Sequence, residues 1–209
     1  MPTEIELKFR IPDEYTIQKL TSDLLVRSYI LDDFSDMPMD AFYYDLSNKA
    51  LSKRKWTFRM RREGENSVAT LKTAAISQTV GGLFSRDEWQ CPAETLEEGL
   101  SGLLAVGAPA ELAEFVKDSE FVKLCRISFN RHRAVLCVRD DTRIEMAIDS
   151  GRVEAGGKSE ALLELELELL FGDVSAVLEL GNYLAAQYNL QKEMISKYER
   201  ALRLIRRRR

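Results

Sequence analysis

Histidine is almost missing from this chain of 209 residues, with His132 the single one. A metal centre built on several histidines is therefore excluded, as is any reaction that needs two of them. Cysteine is scarcely better represented. Cys91, Cys125 and Cys137 form an odd set without a CxxC pair, the usage of free thiols in a reducing compartment rather than of a disulfide framework. No apolar run reaches the roughly 18 residues of a membrane-spanning helix. The first residues lead straight into a charged strand with no signal-peptide pattern, so the expected location is cytoplasmic, with no membrane partner. The net charge of −4 argues against a general nucleic-acid or membrane-surface binder. Neither GxxxxGK[ST] nor GxGxxG occurs, which removes the glycine-rich backbone loops that cradle phosphates in nucleotide-binding folds.

What is present is apolar material for a core, at 45% hydrophobic residues, together with 31% charged residues. The length fits one large domain or two small ones. Glutamates alternate with aliphatics near both ends of the chain, as Glu4-Ile5-Glu6-Leu7-Lys8 and as Glu164-Leu165-Glu166-Leu167-Glu168. In a strand, residues two apart share a face, so each run puts its charges on one side and its aliphatics on the other. Carboxylates crowded on one face repel unless positive charge sits among them, and hard divalent cations take oxygen ligands of this kind.

The chain reads as many strands with interspersed helices. Strands are expected at 3–10, 40–46, 56–62 and 68–73, the last two forming a hairpin across Glu63-Gly64-Glu65-Asn66. Gly81-Gly82 punctuates the chain before a strand over 84–91. A helical stretch over 94–119 is interrupted by Gly107 and Pro109, and three strands follow over 125–131, 133–139 and 143–149. Residues 151–159 read as a loop and 161–170 as the glutamate strand. Helices are expected after Pro12-Asp13, from Gly172-Asp173 to Tyr188, and from Ser196 to Arg209, with Arg206–Arg209 as a solubilising end. Nothing alternates like a parallel βαβ fold, which favours an α+β architecture: an antiparallel sheet or barrel with helices packed outside.

Sorting the strand residues by face sharpens this. One side collects Glu4, Glu6, Lys8, Arg59, Arg61, Lys72, Arg86, Glu88, Arg131, Arg133, Glu145, Asp149, Glu164, Glu166 and Glu168, and the other collects aliphatic and aromatic residues. In a closed barrel the charged side lines the lumen. Burying charge of both signs is costly without a partner for it. A polyphosphate with divalent metal supplies one, because Arg and Lys bind phosphate oxygens while carboxylates hold metal. His132 falls between two inward arginines and is expected to face outward in a structural role. Tyr43, Tyr44 and Trp89 read as packing residues, and Asp45 either bonds a lumen arginine or ends its strand.

The ordered set of motifs resembles the CYTH superfamily, the triphosphate tunnel metalloenzymes. It begins with the ExExK strand at Glu4–Lys8. It continues through Phe42-Tyr43-Tyr44-Asp45, Arg59-Met60-Arg61, Thr70-Leu71-Lys72, Ser85-Arg86-Asp87-Glu88 and Phe129-Asn130-Arg131-His132-Arg133, then Glu145 through Asp149, Glu164 to Glu168 and Ser196-Lys197-Tyr198. The match spans almost the whole chain, as a single domain over 1–209. Gly81-Gly82-Leu83 and the Gly172-Asp173 step are similar to the bacterial inorganic triphosphatase branch. Many members there carry a C-terminal CHAD domain not found in these 209 residues, so a stand-alone form and a fragment both remain open.

The resemblance implies a closed eight-stranded antiparallel β-tunnel. It also implies a metal-dependent hydrolase acting on a small-molecule triphosphate, with Mg²⁺ or Mn²⁺ as cofactor. It implies Glu4, Glu6 and Glu166 at the tightly bound metal. Glu88, Asp149 and Glu168 fall near a second metal or the attacking water. Lys8, Arg59, Arg61, Lys72, Arg86, Arg131 and Arg133 form the triphosphate-binding row, and Lys197 is a helix lysine reaching into the tunnel. The register of Glu164, Glu166 and Glu168 at the metals stays open, as do the preferred metal and the choice between monomer and homodimer. Class IV adenylyl cyclase, thiamine or RNA triphosphatase and a non-catalytic polyphosphate-binding module are the rival readings.

Overall fold

A computed structural model describes residues 3–74, 77–78, 83–117, 119–139 and 141–206. The Gly81-Gly82 punctuation lies outside them, as does the end of the basic tail. The chain opens with strand β1 (Thr3–Arg10), helices α1 (Glu14–Ser22) and α2 (Leu24–Tyr29), and strand β2 (Ser35–Leu46). A short α3 (Ala50–Lys53) leads to β3 (Thr57–Glu63), β4 (Asn66–Lys72), β5 (Ser77–Gln78) and β6 (Phe84–Pro92). After α4 (Leu96–Ala105) and α5 (Glu111–Val116) come three long strands: β7 (Phe121–Val138), β8 (Thr142–Ala155) and β9 (Lys158–Phe171). The chain ends on α6 (Val174–Tyr188), β10 (Gln191–Lys192) and α7 (Lys197–Arg206). None of the described helices is long and apolar enough to cross a membrane.

Neighbouring strands run in the order β1-β9-β8-β7-β2-β3-β4-β6, all antiparallel, and β6 pairs back onto β1 through Glu4↔Arg86 and Ile5↔Ser85. The eight strands therefore close into a barrel, as expected. Closure gives every charged strand face a common lumen and leaves the apolar faces to be covered from outside.

That covering comes in two clusters. Leu7, Phe9, Ile144, Met146, Leu165 and Leu167 pack under α1, α2 and α6. Phe58, Leu71, Trp89 and Cys91 pack under α4 and α5. Helix α7 is placed differently. Its Ala201 and Leu204 are buried against Ile127, Val153 and Leu162, which share strand parity with Arg131, Asp149 and Glu164 and so lie on the inward side. This helix closes one end of the barrel from within.

Local chemistry explains the boundaries. Asp13 caps α1 by accepting from the Thr16 amide at 2.8 Å, and Asp173 caps α6 by accepting from Ser175 at 2.8 Å. Asp23 starts a second helix where one was expected, accepting from the Leu25 and Val26 amides. Asp45 ends its strand: its carboxylate accepts from the amides of Leu46, Leu51 and Ser52 and so holds α3 in place.

Two expectations are corrected. The strands expected at 125–131 and 133–139 are one, β7, because alternation runs unbroken through the outward His132. The loop expected at 151–159 is mostly strand. Only Gly156 and Gly157, at φ of 58° and 73°, form the turn between Ala155 and Lys158, the geometry that two-residue hairpins demand. Gly151 lies mid-strand, where a Cβ would stand 2.1 Å from the Ser128 carbonyl oxygen. It is a close-approach glycine rather than a turn residue.

Candidate active site in the barrel lumen

Strand alternation, with Lys197 added from α7, delivers seven basic and five acidic side chains to one cavity. They are Lys8, Arg59, Arg61, Lys72, Arg86, Arg131 and Lys197 with Glu4, Glu6, Glu88, Glu166 and Glu168. The cavity is small, about 100 Å³, because these side chains reach across it to one another. Four residues sorted to the inward face do not line it, Glu145 and Glu164 among them. Asp149 is fully buried behind Arg131, and Arg133 sits at the rim with its side chain 39% exposed, bonded to Glu145 at 2.7 Å.

The acidic residues near β1 are held by two bridging cations. Lys72 Nζ lies 2.7 Å from Glu4 and 2.5 Å from Glu88. Arg86 Nε lies 2.9 Å from Glu4, and its Nη2 lies 3.3 Å from Glu6. Lys8 donates to Glu6 at 3.0 Å. Burial works against the Glu4 carboxylate, but Lys72 and Arg86 outweigh it and hold its pKa well below the usual range. Among the described residues no ion pair reaches Glu168. Register places it between Glu6 on β1 and Glu145 on β8, three glutamates abreast on adjacent strands. Burial, and then the charges of Glu4, Glu6 and Glu145, push its pKa up to about 8. This is a carboxylate position short of positive charge.

The opposite condition holds around Arg61. Its Nε donates to Glu63 at 2.6 Å, yet burial and the neighbouring Arg59 and Arg131 lower its pKa. The lumen therefore has one zone short of cations and one zone short of anions.

A third group is balanced. Arg131 forks onto Asp149 at 2.8 and 2.7 Å and reaches Glu166 at 2.6 Å. Lys197 Nζ lies 2.6 Å from Glu166, 2.9 Å from Asp149 and 3.0 Å from Glu164. Lys197 stands in the first turn of α7, which Ser196 caps by accepting from the Glu199 amide. A cation is disfavoured at that helix end, and the three carboxylates offset it. They raise the pKa of Lys197 well above normal in spite of burial. Lys8, Lys197 and Arg131 likewise hold Glu166 low.

Sorting by charge misses the rest of the wall, although Tyr43, Thr57, Gln90 and Phe129 share the inward parity of Arg59, Glu88 and Arg131. Tyr43, expected to be a packing residue, lines the cavity and stacks on Tyr198 with ring centroids 5.2 Å apart. Thr57, Gln90, Phe129 and Ser196 join it. Tyr44 and Trp89 pack outside as expected, and His132 faces outward, bonded to Asp36 and stacked on Phe34. A second cavity of about 740 Å³ adjoins the first and shares Thr57, Arg86, Ser196 and Tyr198 with it. Lys49, Lys55, Trp56 and Leu202 also line this outer chamber.

The donors fit a hard divalent cation. Every acidic lumen ligand is a carboxylate, and no histidine or cysteine lines the cavity. Among the described residues no three carboxylates are already gathered at ligand geometry. Taking up a cation at Glu168 therefore means turning Glu4 or Glu6 away from Arg86, Lys72 or Lys8.

A closed antiparallel barrel with a charged lumen of this kind defines a class, and the sequence matches its model. The chain belongs to the CYTH domain family, whose model matches residues 2–202. It is similar to an inorganic triphosphatase of Haemophilus influenzae, 28% identical over 200 residues that make up 96% of this chain and 54% of the relative. The chain thus spans about half the length of that curated protein. Among solved structures it is similar to the Hippeastrum protein HpAC1, described as a candidate adenylyl cyclase with a dominant triphosphatase activity. That likeness has a TM-score of 0.59 at 17% identity over 97% of this chain and 95% of the other. It is also similar to PH1819 of Pyrococcus horikoshii OT3, with a TM-score of 0.55 at 18% identity over 98% and 99%. These two likenesses concern the fold.

Proposed function

We propose that this chain is a divalent-metal-dependent hydrolase that cleaves inorganic triphosphate to pyrophosphate and phosphate. The observation that carries the reading is the presence in one lumen of a crowded carboxylate position and a crowded guanidinium position. Glu168, beside Glu4 and Glu6, has no ion pair among the described residues and is pushed up by burial and by those like charges, while Arg61, though bonded to Glu63, is lowered by burial and by Arg59 and Arg131. A phosphate chain with its metal meets both deficits at once. The name of the Haemophilus influenzae relative supports the same substrate class.

Glu4, Glu6, Glu166 and Glu168 would hold the metal. When bound, Mg²⁺ or Mn²⁺ neutralises phosphate charge and lowers the pKa of a water. The protein's own residues supply the remainder. Lys8, Arg59, Arg61, Lys72, Arg86 and Arg131 bind the non-bridging oxygens and fix the chain along the tunnel. Arginine forks set its orientation and lysines its charge balance. A water oxygen bonds to the terminal phosphorus as the bond from that phosphorus to the bridging oxygen breaks. Glu168 or Glu88 takes the water's proton, and basic side chains stabilise the pyrophosphate leaving group. No covalent enzyme intermediate is needed, because positioning and charge neutralisation account for acceleration in such transfers.

A phosphate-release panel of triphosphate, pyrophosphate, ATP, thiamine triphosphate and long-chain polyphosphate, each with Mg²⁺ and with Mn²⁺, tests this. Inorganic triphosphate is expected to exceed ATP in kcat/KM by at least ~10-fold, or ~1.4 kcal/mol of transition-state stabilisation. The outer chamber of about 740 Å³ favours a second reading, a triphosphate carrying an organic group that rests there. Equal kcat/KM for ATP and triphosphate, or cyclic AMP as product, would decide for that alternative.

A further inference from the structure

We infer that Arg200 is a positioning residue that sets the Lys197 ammonium toward the lumen by occupying Glu164. This inference rests on the lumen being a triphosphate site. Arg200 lies one helical turn after Lys197, so both project from the same face of α7. That face meets the inward side of β9. Arg200 is buried at 6% exposure, and its Nη1 donates to Glu164 Oε1 at 2.5 Å. Its Nε and Nη2 donate to Glu160 at 3.1 and 2.6 Å, and Nη2 also reaches the Ala161 carbonyl at 2.8 Å.

Glu164 is fully buried, and its second oxygen lies 3.0 Å from Lys197 Nζ without accepting a hydrogen bond. The hydrogen bond of Lys197 goes instead to Glu166, a residue of the cavity wall, at 2.6 Å. Lys197 thus stands between two buried carboxylates behind it, Glu164 at 3.0 Å and Asp149 at 2.9 Å, and one in front of it on the cavity wall, and Asp149 is already taken up by the Arg131 fork. The guanidinium on Glu164 decides which one it serves. Among the described residues Arg200 is the one cation hydrogen-bonded to Glu164, and a buried carboxylate deprived of such a partner claims the nearest alternative. Without Arg200 that alternative is Lys197, drawn back from Glu166 and from any anion in the tunnel. Arg200 therefore acts on a ligand it does not touch, through one intermediate carboxylate.

The test is a double-substitution cycle in the full chain. It compares Arg200→Gln, Glu164→Gln and the pair together, with Glu160→Gln as a control for the outer anchor of the same guanidinium. Two readings are taken on folded protein. One is the affinity for inorganic triphosphate by calorimetry in EDTA. The other is kcat/KM for its hydrolysis with Mg²⁺. Arg200→Gln is expected to weaken triphosphate binding and lower kcat/KM by at least 10-fold. The double variant should return to within about 3-fold of wild type, because no carboxylate is left to divert Lys197. Glu160→Gln should match wild type.

Should Arg200→Gln not accumulate as folded protein, the double variant carries the test with Arg200→Lys, which keeps the charge but not the fork and should fall between. Wild-type kinetics and affinity in Arg200→Gln would overturn the inference. So would a double variant with the wild-type Tm and the same defect as Arg200→Gln, since Arg200 would then act without Glu164. A wild-type protein that binds triphosphate without cleaving it overturns the hydrolase reading, while the cycle in calorimetry still decides the role of Arg200.

Discussion

Two groups of charge share this lumen, built from the same residue types on adjacent strands, and they stand in opposite electrostatic conditions. Beside α7, Asp149, Glu164 and Glu166 meet Arg131, Lys197 and Arg200 at 2.5–3.0 Å. Each carboxylate there has a close cation. Beside β1 and β6, Glu4, Glu6 and Glu88 share Lys8, Lys72 and Arg86, while among the described residues no ion pair reaches Glu168, and burial and its glutamate neighbours outweigh Lys72 and push its pKa up to about 8. The first group resembles a buried salt-bridge network, whose removal is costly because charges are left unpaired. The second keeps a deficit that the fold itself does not fill. Residue type alone does not separate structure from site here. The local balance of charge does.

The sharpest way to break this comparison is Lys197→Ala. In a balanced group the loss of one cation leaves Asp149, Glu164 and Glu166 facing each other at low exposure. We expect a stability loss of about 3–5 kcal/mol, together with loss of activity in whatever folded protein remains. Chemical denaturation measures the first and steady-state kinetics the second. Wild-type stability would show that the α7 group is not balanced in the way described.

Glu6→Gln probes the deficient group. The size is kept and a ligand charge is removed, so the metal requirement should rise and kcat/KM fall roughly 100-fold, or about 2.7 kcal/mol. The fold should hold, because one like-charge contact with Glu168 disappears. Turnover against Mg²⁺ concentration checks this. Unchanged turnover at limiting Mg²⁺ removes Glu6 from the metal.

Glu168→Gln sharpens the same point through pH. A carboxyl whose folded pKa of about 8 lies above its unfolded value of about 4.5 binds more protons in the native state across that window. Metal-free wild type should therefore lose stability as pH rises from about 4.5 to 8, and the glutamine variant should lose less. The difference at pH 8 is on the order of 2 kcal/mol after allowance for residual solvation. Thermal unfolding in EDTA at pH 5 and pH 8 reads it. Parallel pH profiles for the two proteins would refute the charge deficit at Glu168.

The lumen set was legible because a period of two assigns every strand residue to a face without knowledge of the partners. Glu4, Arg59, Arg131 and Glu166 meet for that reason alone. Closure then follows from charged faces that need a shared interior. The roles of Asp149 and Arg200 were not legible, because they depend on α7 folding onto the inward side of one barrel end. Nothing in the Ser196–Arg206 pattern distinguishes that from packing outside. The spacing of Lys197 and Arg200 was the available signal, since residues three apart share a helix face. The boundaries of β8 and β9 were hidden by Gly151, whose role is close approach to the Ser128 carbonyl rather than a turn.

Arg133 marks the edge of the comparison and carries the smallest expected effect. It shares the inward parity of Arg131 and was expected in the phosphate-binding row. Its guanidinium instead bonds Glu145 at the rim, and its side chain is 39% exposed. A contact there competes with water and salt, so it contributes little. Removing it also strands no partner, since Glu145 keeps Arg131 at 3.4 Å. Arg133→Ala should leave kcat and Tm near wild type and raise KM for triphosphate by less than ~5-fold, or about 1 kcal/mol. The rise should shrink further in added salt. A loss of kcat as large as that of Glu6→Gln would mean that Arg133 turns inward when substrate binds, and the boundary of the site would have to be redrawn to include the rim.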